Sequence, residues 1–166
     1  DWSSDVCSSD LMTKEKVHIA PGAVVEDGRL EEEVSLEILR TAASLEHFLA
    51  EQLKAYDLTM KQYNVLRILR GAGQNGLCRN EVRARMIAPV PDATRLIDRL
   101  ITAGYVQKDQ NPDDKRFIAT RITKSGLDLL QSMDQPILEI HRSQIGHLSK
   151  ADLNQLSTLL QETRKK

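Results

Sequence analysis

Nine lysines and arginines lie between positions 79 and 121: Arg79, Arg83, Arg85, Arg95, Arg99, Lys108, Lys115, Arg116 and Arg121. Six acids share that stretch, a net of +3, whereas residues 28–57 hold three basic and seven acidic residues, a net of −4. On a chain whose formal charge is only −1, this segregation is what a local phosphate-binding surface requires. Solvated helices reach similar imbalances, so the charge needs a fold to support it. Residues for bond-making chemistry are scarce. There is no glycine-rich phosphate loop, no supported Ser/His/Asp or Cys/His arrangement and no metal-spaced cluster, which argues against an enzyme, a cofactor or a metal site. His141 and His147 stand six apart, where four would align them on one helix face. Cys78 falls at the start of a short helical pattern, where a dipole lowers a thiol pKa. A redox switch there competes with the reading of an ordinary small residue, which is preferred.

The elements that would position these groups follow from periodicity. Val34, Ile38, Ala42, Leu45, Leu49 and Leu53 recur at three- and four-residue steps, with a second apolar stripe at Leu36, Leu39, Ala43 and Phe48. Two stripes imply a helix covered from two directions, either by its own domain and a second subunit or within one subunit's core. Thr59-Met-Lys-Gln62 has the form of a capping box opening a helix with Tyr63, Leu66 and Leu69 inward, ended by Gly71, Gly73 and Gly76. Cys78-Arg-Asn-Glu81 repeats that shape before a short helix to about Met86. After Ala88-Pro-Val-Pro91 a further helix runs to Ala103 and stops at Gly104, with Pro91 suited to its first turn and Asp92 to its positive end. Two extended segments, Tyr105–Gln110 and Phe117–Ile122, flank a polar turn and predict a hairpin. Thr123 caps a long helix that Pro136 should kink, and Ser149-Lys-Ala-Asp152 opens a last one. Two short helices joined by a break and followed by a hairpin form the winged helix-turn-helix plan, whose second short helix fits the major groove.

The opening string DWSSDVCSSDL fits neither helical nor strand periodicity and has no basic start or apolar core, so it is not a secretory signal. It resembles translated sequencing-adapter read-through, and Met12 is the expected natural start. Without it Cys78 is the single cysteine, which suits a reducing cytoplasm. No run approaches the ~18 apolar residues of a membrane helix. The expected organisation is a non-native leader at 1–11, a flexible arm at 12–28, a dimerisation helix at 29–54, a winged helix-turn-helix domain at 55–123 and dimerisation helices at 124–166. The fold class is mainly α with a small β-hairpin wing.

Three ordered motifs then resemble the MarR family of regulators. They are Leu58-Thr59-Met60-Lys61-Gln62, the run Thr94-Arg95-Leu96-Ile97-Asp98-Arg99-Leu100 followed by Gly104-Tyr105-Val106, and the wing Asp114-Lys-Arg116 leading to Ile122-Thr123-Lys-Ser-Gly126. The likeness spans roughly Leu30 to Leu160. It implies a sequence-specific DNA-binding regulator, a homodimer on a pseudo-palindromic operator, released by a small anionic or phenolic effector. By that resemblance Thr94 and Arg95 face the major groove, and Arg116, oriented by Asp114 and neighboured by Lys115, reaches the minor groove. Without the motif, Arg116 would read as an exposed hairpin charge. Asp92 would serve the helix dipole or accept from a cytosine amino group. Arg99 would hold a phosphate or pair with Asp98, and Arg79 and Asn80 are candidate phosphate contacts. Arg40, His47, Phe48 and Tyr63 are candidate effector contacts, with core packing the alternative for Phe48 and Tyr63. The turn before the recognition helix departs from the family: Ile87-Ala88-Pro89-Val90-Pro91 stands where Gly-Val-Ser is common, and the usual serine cap is missing. A winged-helix module that binds protein rather than DNA is the competing reading; it has no use for Arg95 and Arg116.

Overall fold

Side-chain caps set where the helices begin. In the computed structural model, which describes residues 28–88, 90–110 and 118–165, the Thr59 hydroxyl accepts from the Gln62 N–H at 3.3 Å while Gln62 Oε1 accepts from the Thr59 N–H at 2.9 Å. This reciprocal pair opens the helix Met60–Ala72. Thr123 accepts from the Gly126 N–H at 3.1 Å and opens Lys124–Ile145; Ser149 accepts from Asp152 at 3.1 Å and opens Lys150–Glu162. In chain order the elements are α1 (Arg29–Lys54), α2 (Met60–Ala72), a 3-10 turn (Gly73–Asn75), α3 (Arg79–Arg85), α4 (Ala93–Thr102), β1 (Val106–Gln110), β2 (Ile118–Ile122), α5 (Lys124–Ile145) and α6 (Lys150–Glu162). This is the mainly α architecture with one small hairpin that the periodicity predicts.

The chain divides into two units, Asp1–Ile38 and Leu39–Lys166. The described part of the first is the opening of α1. The second holds the core: Leu53 of α1, Leu66 and Leu69 of α2, Val82 of α3, Ile97 and Leu100 of α4, and Leu130 and Met133 of α5 are all essentially inaccessible. Buried positions recurring every three or four residues on α2, α4 and α5 are the amphipathic pattern that drives their association. Strands β1 and β2 pair antiparallel with Val106 opposite Ile122 and Gln110 opposite Ile118. Leu77 adds a short third rung: its N–H donates to the Thr120 carbonyl at 3.0 Å, and the Thr120 N–H donates back at 2.8 Å. That rung ties the hairpin to the segment entering α3.

Several local expectations change. Gly71 lies inside α2, and Gly73, at φ 63°, is the residue that ends it. Pro91 precedes the α4 cap instead of occupying the first turn, because Asp92 takes the cap position. The two stripes of α1 are unequally buried from Leu39 onward: Leu49 and Leu53 are buried, whereas Leu39 and Phe48 are 65% and 53% exposed. No helix among the described residues is long and apolar enough to cross a membrane.

Candidate nucleic-acid interface

Helix α4 is strongly two-sided. Ala93, Ile97 and Leu100 recur on its buried face, and Arg95, Asp98 and Arg99 are exposed. Its start is held by Asp92, whose Oδ1 accepts from the Arg95 N–H at 2.9 Å. Asp92 therefore does the work of the absent serine, satisfying an orphan amide and placing negative charge at the helix's positive end. The preceding turn is pinned from α2, where Asn64 Oδ1 accepts from the Ile87 N–H at 2.9 Å. A 23-residue separation gives such a contact no signature in the sequence.

Two cation contacts brace α4 against its neighbours. Arg79 Nη1, at the first residue of α3, donates to Thr94 Oγ1 at 3.0 Å. Lys108 Nζ, on β1, donates to Asp98 Oδ1 at 2.6 Å. Asp98 thus pairs across to the hairpin, and of the two alternatives for Arg99 the pairing with Asp98 is not made. The side chains of Arg95 and Arg99 form no ion pair among the described residues and are exposed. Asn80 is exposed beside Arg79 and, with Arg83, Asp92 and Thr94, lines a groove of about 150 Å³ between α3 and the start of α4. A larger cavity of about 310 Å³ lies on the hairpin side, between Cys78, Thr94, Lys108 and Ile118. In the sequence Lys108 is one basic residue among nine; its place opposite Asp98 depends on how the strand after Gly104 returns past α4.

The hairpin carries its own brace, Arg121 Nη1 to Asp109 Oδ2 at 3.1 Å. Asp114, Lys115 and Arg116, the expected wing contacts, lie outside the described residues. At the start of α3 the Cys78 N–H donates to Glu81 Oε2 at 2.7 Å. That backbone bond, first among its causes, holds the Glu81 carboxyl below the ordinary carboxylate range. The wing-to-helix turn Ile122-Thr123-Lys-Ser-Gly126 has a steric reason. Thr123 caps α5 and also donates its hydroxyl to the Gly104 carbonyl at 2.8 Å, and a Cβ at Gly126 would run into the Tyr105 carbonyl oxygen.

The four candidate effector contacts are not gathered in one place. Arg40 lines a cavity of about 270 Å³ with Thr41, Ser44 and Gln144. His47 and Phe48 meet edge to face at 5.6 Å and are exposed, while Tyr63 is a core residue with the Arg67 guanidinium 5.7 Å from its ring centre. His141 lies near the end of α5 and His147 beyond it, and no group of three metal-ligating side chains occurs among the described residues.

With this geometry in place, residues 47–133, about half the chain, match the family model described as transcriptional regulator SarA/Rot. A MarR transcription factor from Planctomyces limnophilus is 32% identical, covering 78% of this chain and 94% of its own, with a TM-score of 0.61. The chain belongs to the MarR family of transcriptional regulators. The MarR fold is also shared with a mutant MarR from E. coli solved with operator DNA: TM-score 0.73, 22% identity, 85% of this chain and all of that one. The transcriptional repressor IacR of Pseudomonas putida is 28% identical over 66% of this chain. The chain spans 64% of that repressor's length.

Proposed function

We propose that this regulator is a sequence-specific DNA-binding repressor that works in the cytoplasm as a homodimer on a pseudo-palindromic operator, responds to a small effector and catalyses no reaction. The observation that carries the reading is α4 itself. Its start is capped, its flanks are braced by Arg79 and Lys108, and on the exposed side Arg95 and Arg99 have no ion pair among the described residues. Arg95 would read a base edge and Arg99, with Arg79 and Asn80, would contact phosphates. Asp114, Lys115 and Arg116 enter by the family resemblance, as the wing reaching the minor groove. Homodimer formation is supported by the exposed apolar residues Leu39, Phe48, Leu156 and Leu159 on α1 and α6, which a second copy would cover. The operator complex of the E. coli relative supports the same partner.

The test is fluorescence anisotropy on the DNA upstream of the protein's own gene, with unrelated DNA as control and a salt series. Selective binding should fall log-linearly with salt. Arg95→Ala should weaken the selective part by about 1–3 kcal/mol, the worth of one good base contact. Negligible binding to both DNAs at low salt would sink the reading and favour a module that binds protein.

A further inference from the structure

Ile87 is 83% exposed, more than any other large apolar residue among those described, and Ala88 beside it is exposed as well. A solitary isoleucine on a protein surface ordinarily calls for no explanation. Three observations set this one apart. Its backbone is fixed, because the Ile87 N–H donates to Asn64 Oδ1 of α2 at 2.9 Å and Val90, further along the same segment, is buried. It stands in the segment that joins α3 to α4, ahead of the Asp92 cap. The acids of those two helices and their caps are already engaged: Glu81 by the Cys78 N–H, Asp92 by the Arg95 N–H and Asp98 by Lys108. Arg83, Arg85, Arg95 and Arg99, in contrast, are exposed and form no ion pair among the described residues. A surface that covers Ile87 must therefore bring negative charge to the rim and an apolar group to the middle.

The major groove of DNA has that composition, with phosphates along its edges and the thymine 5-methyl as the apolar group on its floor. We propose that Ile87 packs on a thymine methyl of the operator, so that the turn before α4 sets sequence preference together with α4 itself. The proposal rests on the DNA-binding reading above. Ile87 offers no hydrogen bond to a base, so it recognises thymine only by excluding water from the methyl. Asn64 already holds the turn in the free protein, and little further ordering opposes the contact.

The experiment uses the full chain and the tightest duplex it selects from a random-sequence pool. Each thymine of that duplex is replaced in turn by deoxyuridine, which keeps the base pair and the O4 acceptor and lacks only the methyl. Anisotropy then compares the wild type with Ile87→Val and Ile87→Ala. At one thymine position of the half-site, loss of the methyl should weaken wild-type binding about fourfold, the worth of one buried methyl group. Ile87→Val, which keeps a branched apolar side chain, should retain most of that preference. Ile87→Ala should bind the thymine duplex about fourfold more weakly than the wild type and make no distinction between thymine and uracil there. So exposed a side chain contributes little to folding, and the urea midpoints of the three proteins should agree. Selective binding in which every uracil substitution affects wild type and Ile87→Ala alike would overturn the proposal, whether or not the variant binds more weakly. If the pool yields no selected sequence, the DNA-binding reading fails first and Ile87 with it, and an acidic protein surface becomes the partner that this patch fits.

Discussion

Replacing Gly76 by alanine should be markedly more damaging than replacing Gly73, three residues earlier. Both glycines hold backbone conformations that L-residues rarely enter: φ 65°, ψ −174° at Gly76 and φ 63°, ψ −145° at Gly73. That strain is shared and costs about 2 kcal/mol at either position. Their surroundings differ. A Cβ on Gly73 meets nothing within 4 Å, whereas on Gly76 it would sit 2.7 Å from Arg121 Cγ and 2.8 Å from the Thr120 carbonyl oxygen. The arginine stem can swing aside, but the carbonyl is fixed because it accepts from Leu77. Relief therefore requires opening the two-bond rung between Leu77 and Thr120, at about 1 kcal/mol per hydrogen bond. Gly73→Ala should cost about 2 kcal/mol and Gly76→Ala about 4 kcal/mol. With a urea slope of about 2 kcal/mol/M, the two midpoints should differ by about 1 M. Far-ultraviolet circular dichroism at one fixed protein concentration measures both, since an oligomer's stability depends on concentration. Coincident midpoints would refute the steric argument and, with it, the claim that the rung anchors the hairpin.

Two further substitutions probe the helix starts. Asp92→Ala should cost about 1 kcal/mol in thermal unfolding, while Asp92→Asn, which keeps the accepting oxygen, should cost less than half of that; equal losses would mean that the charge, and not the cap bond to Arg95, matters. Glu81 has its folded-state pKa depressed by the Cys78 N–H, so its contribution is present above the ordinary carboxylate pKa and lost as pH falls through the lower folded value. The stability gap between the wild type and Glu81→Gln should accordingly be full at neutral pH and close in acid, as read from urea midpoints across a pH series, and a gap that widens in acid would reverse the assignment.

What the sequence makes legible is whatever is local. The Thr59–Gln62 box, the Thr123 and Ser149 caps and the core positions Tyr63, Leu66 and Leu69 of α2 follow spacings set by the helix itself, and the structure places them accordingly. The capping function of Asp92 was half visible: the charge at a helix start was plain, but Pro91 one residue earlier suggested a different first turn. Contacts between elements left no trace. Asn64 to Ile87, Arg79 to Thr94 and Lys108 to Asp98 span 23, 15 and 10 residues, and each depends on the packing of two elements, not on any periodicity. The same limit applies to α1. Its two apolar stripes give no means of deciding between one covering partner and two, and among the described residues only the end of the helix is buried, at Leu49 and Leu53.

These long-range contacts divide the polar positions of α4 between two tasks. Thr94 and Asp98 are four residues apart and so share a helix face; that face is spent on Arg79 and Lys108. Arg95 and Arg99 are also four apart, on a face about 100° further round, and neither has an ion pair within the described chain. The inward positions Ala93, Ile97 and Leu100 complete the circuit. A helix arranged in this way fixes its orientation with one polar face and presents two unspent guanidinium groups with the next. Swapping the tasks, by placing arginine at 94 or 98, would put positive charge beside Arg79 or Lys108 and repel the neighbours that hold the helix. The order Thr94-Arg95 and Asp98-Arg99 is therefore a structural requirement, independent of what the outer face contacts. It explains why a helix with an exposed basic face carries an acid at all: Asp98 is opposed by Lys108 and contributes to position, so the local surplus of positive charge remains on the side that faces outward.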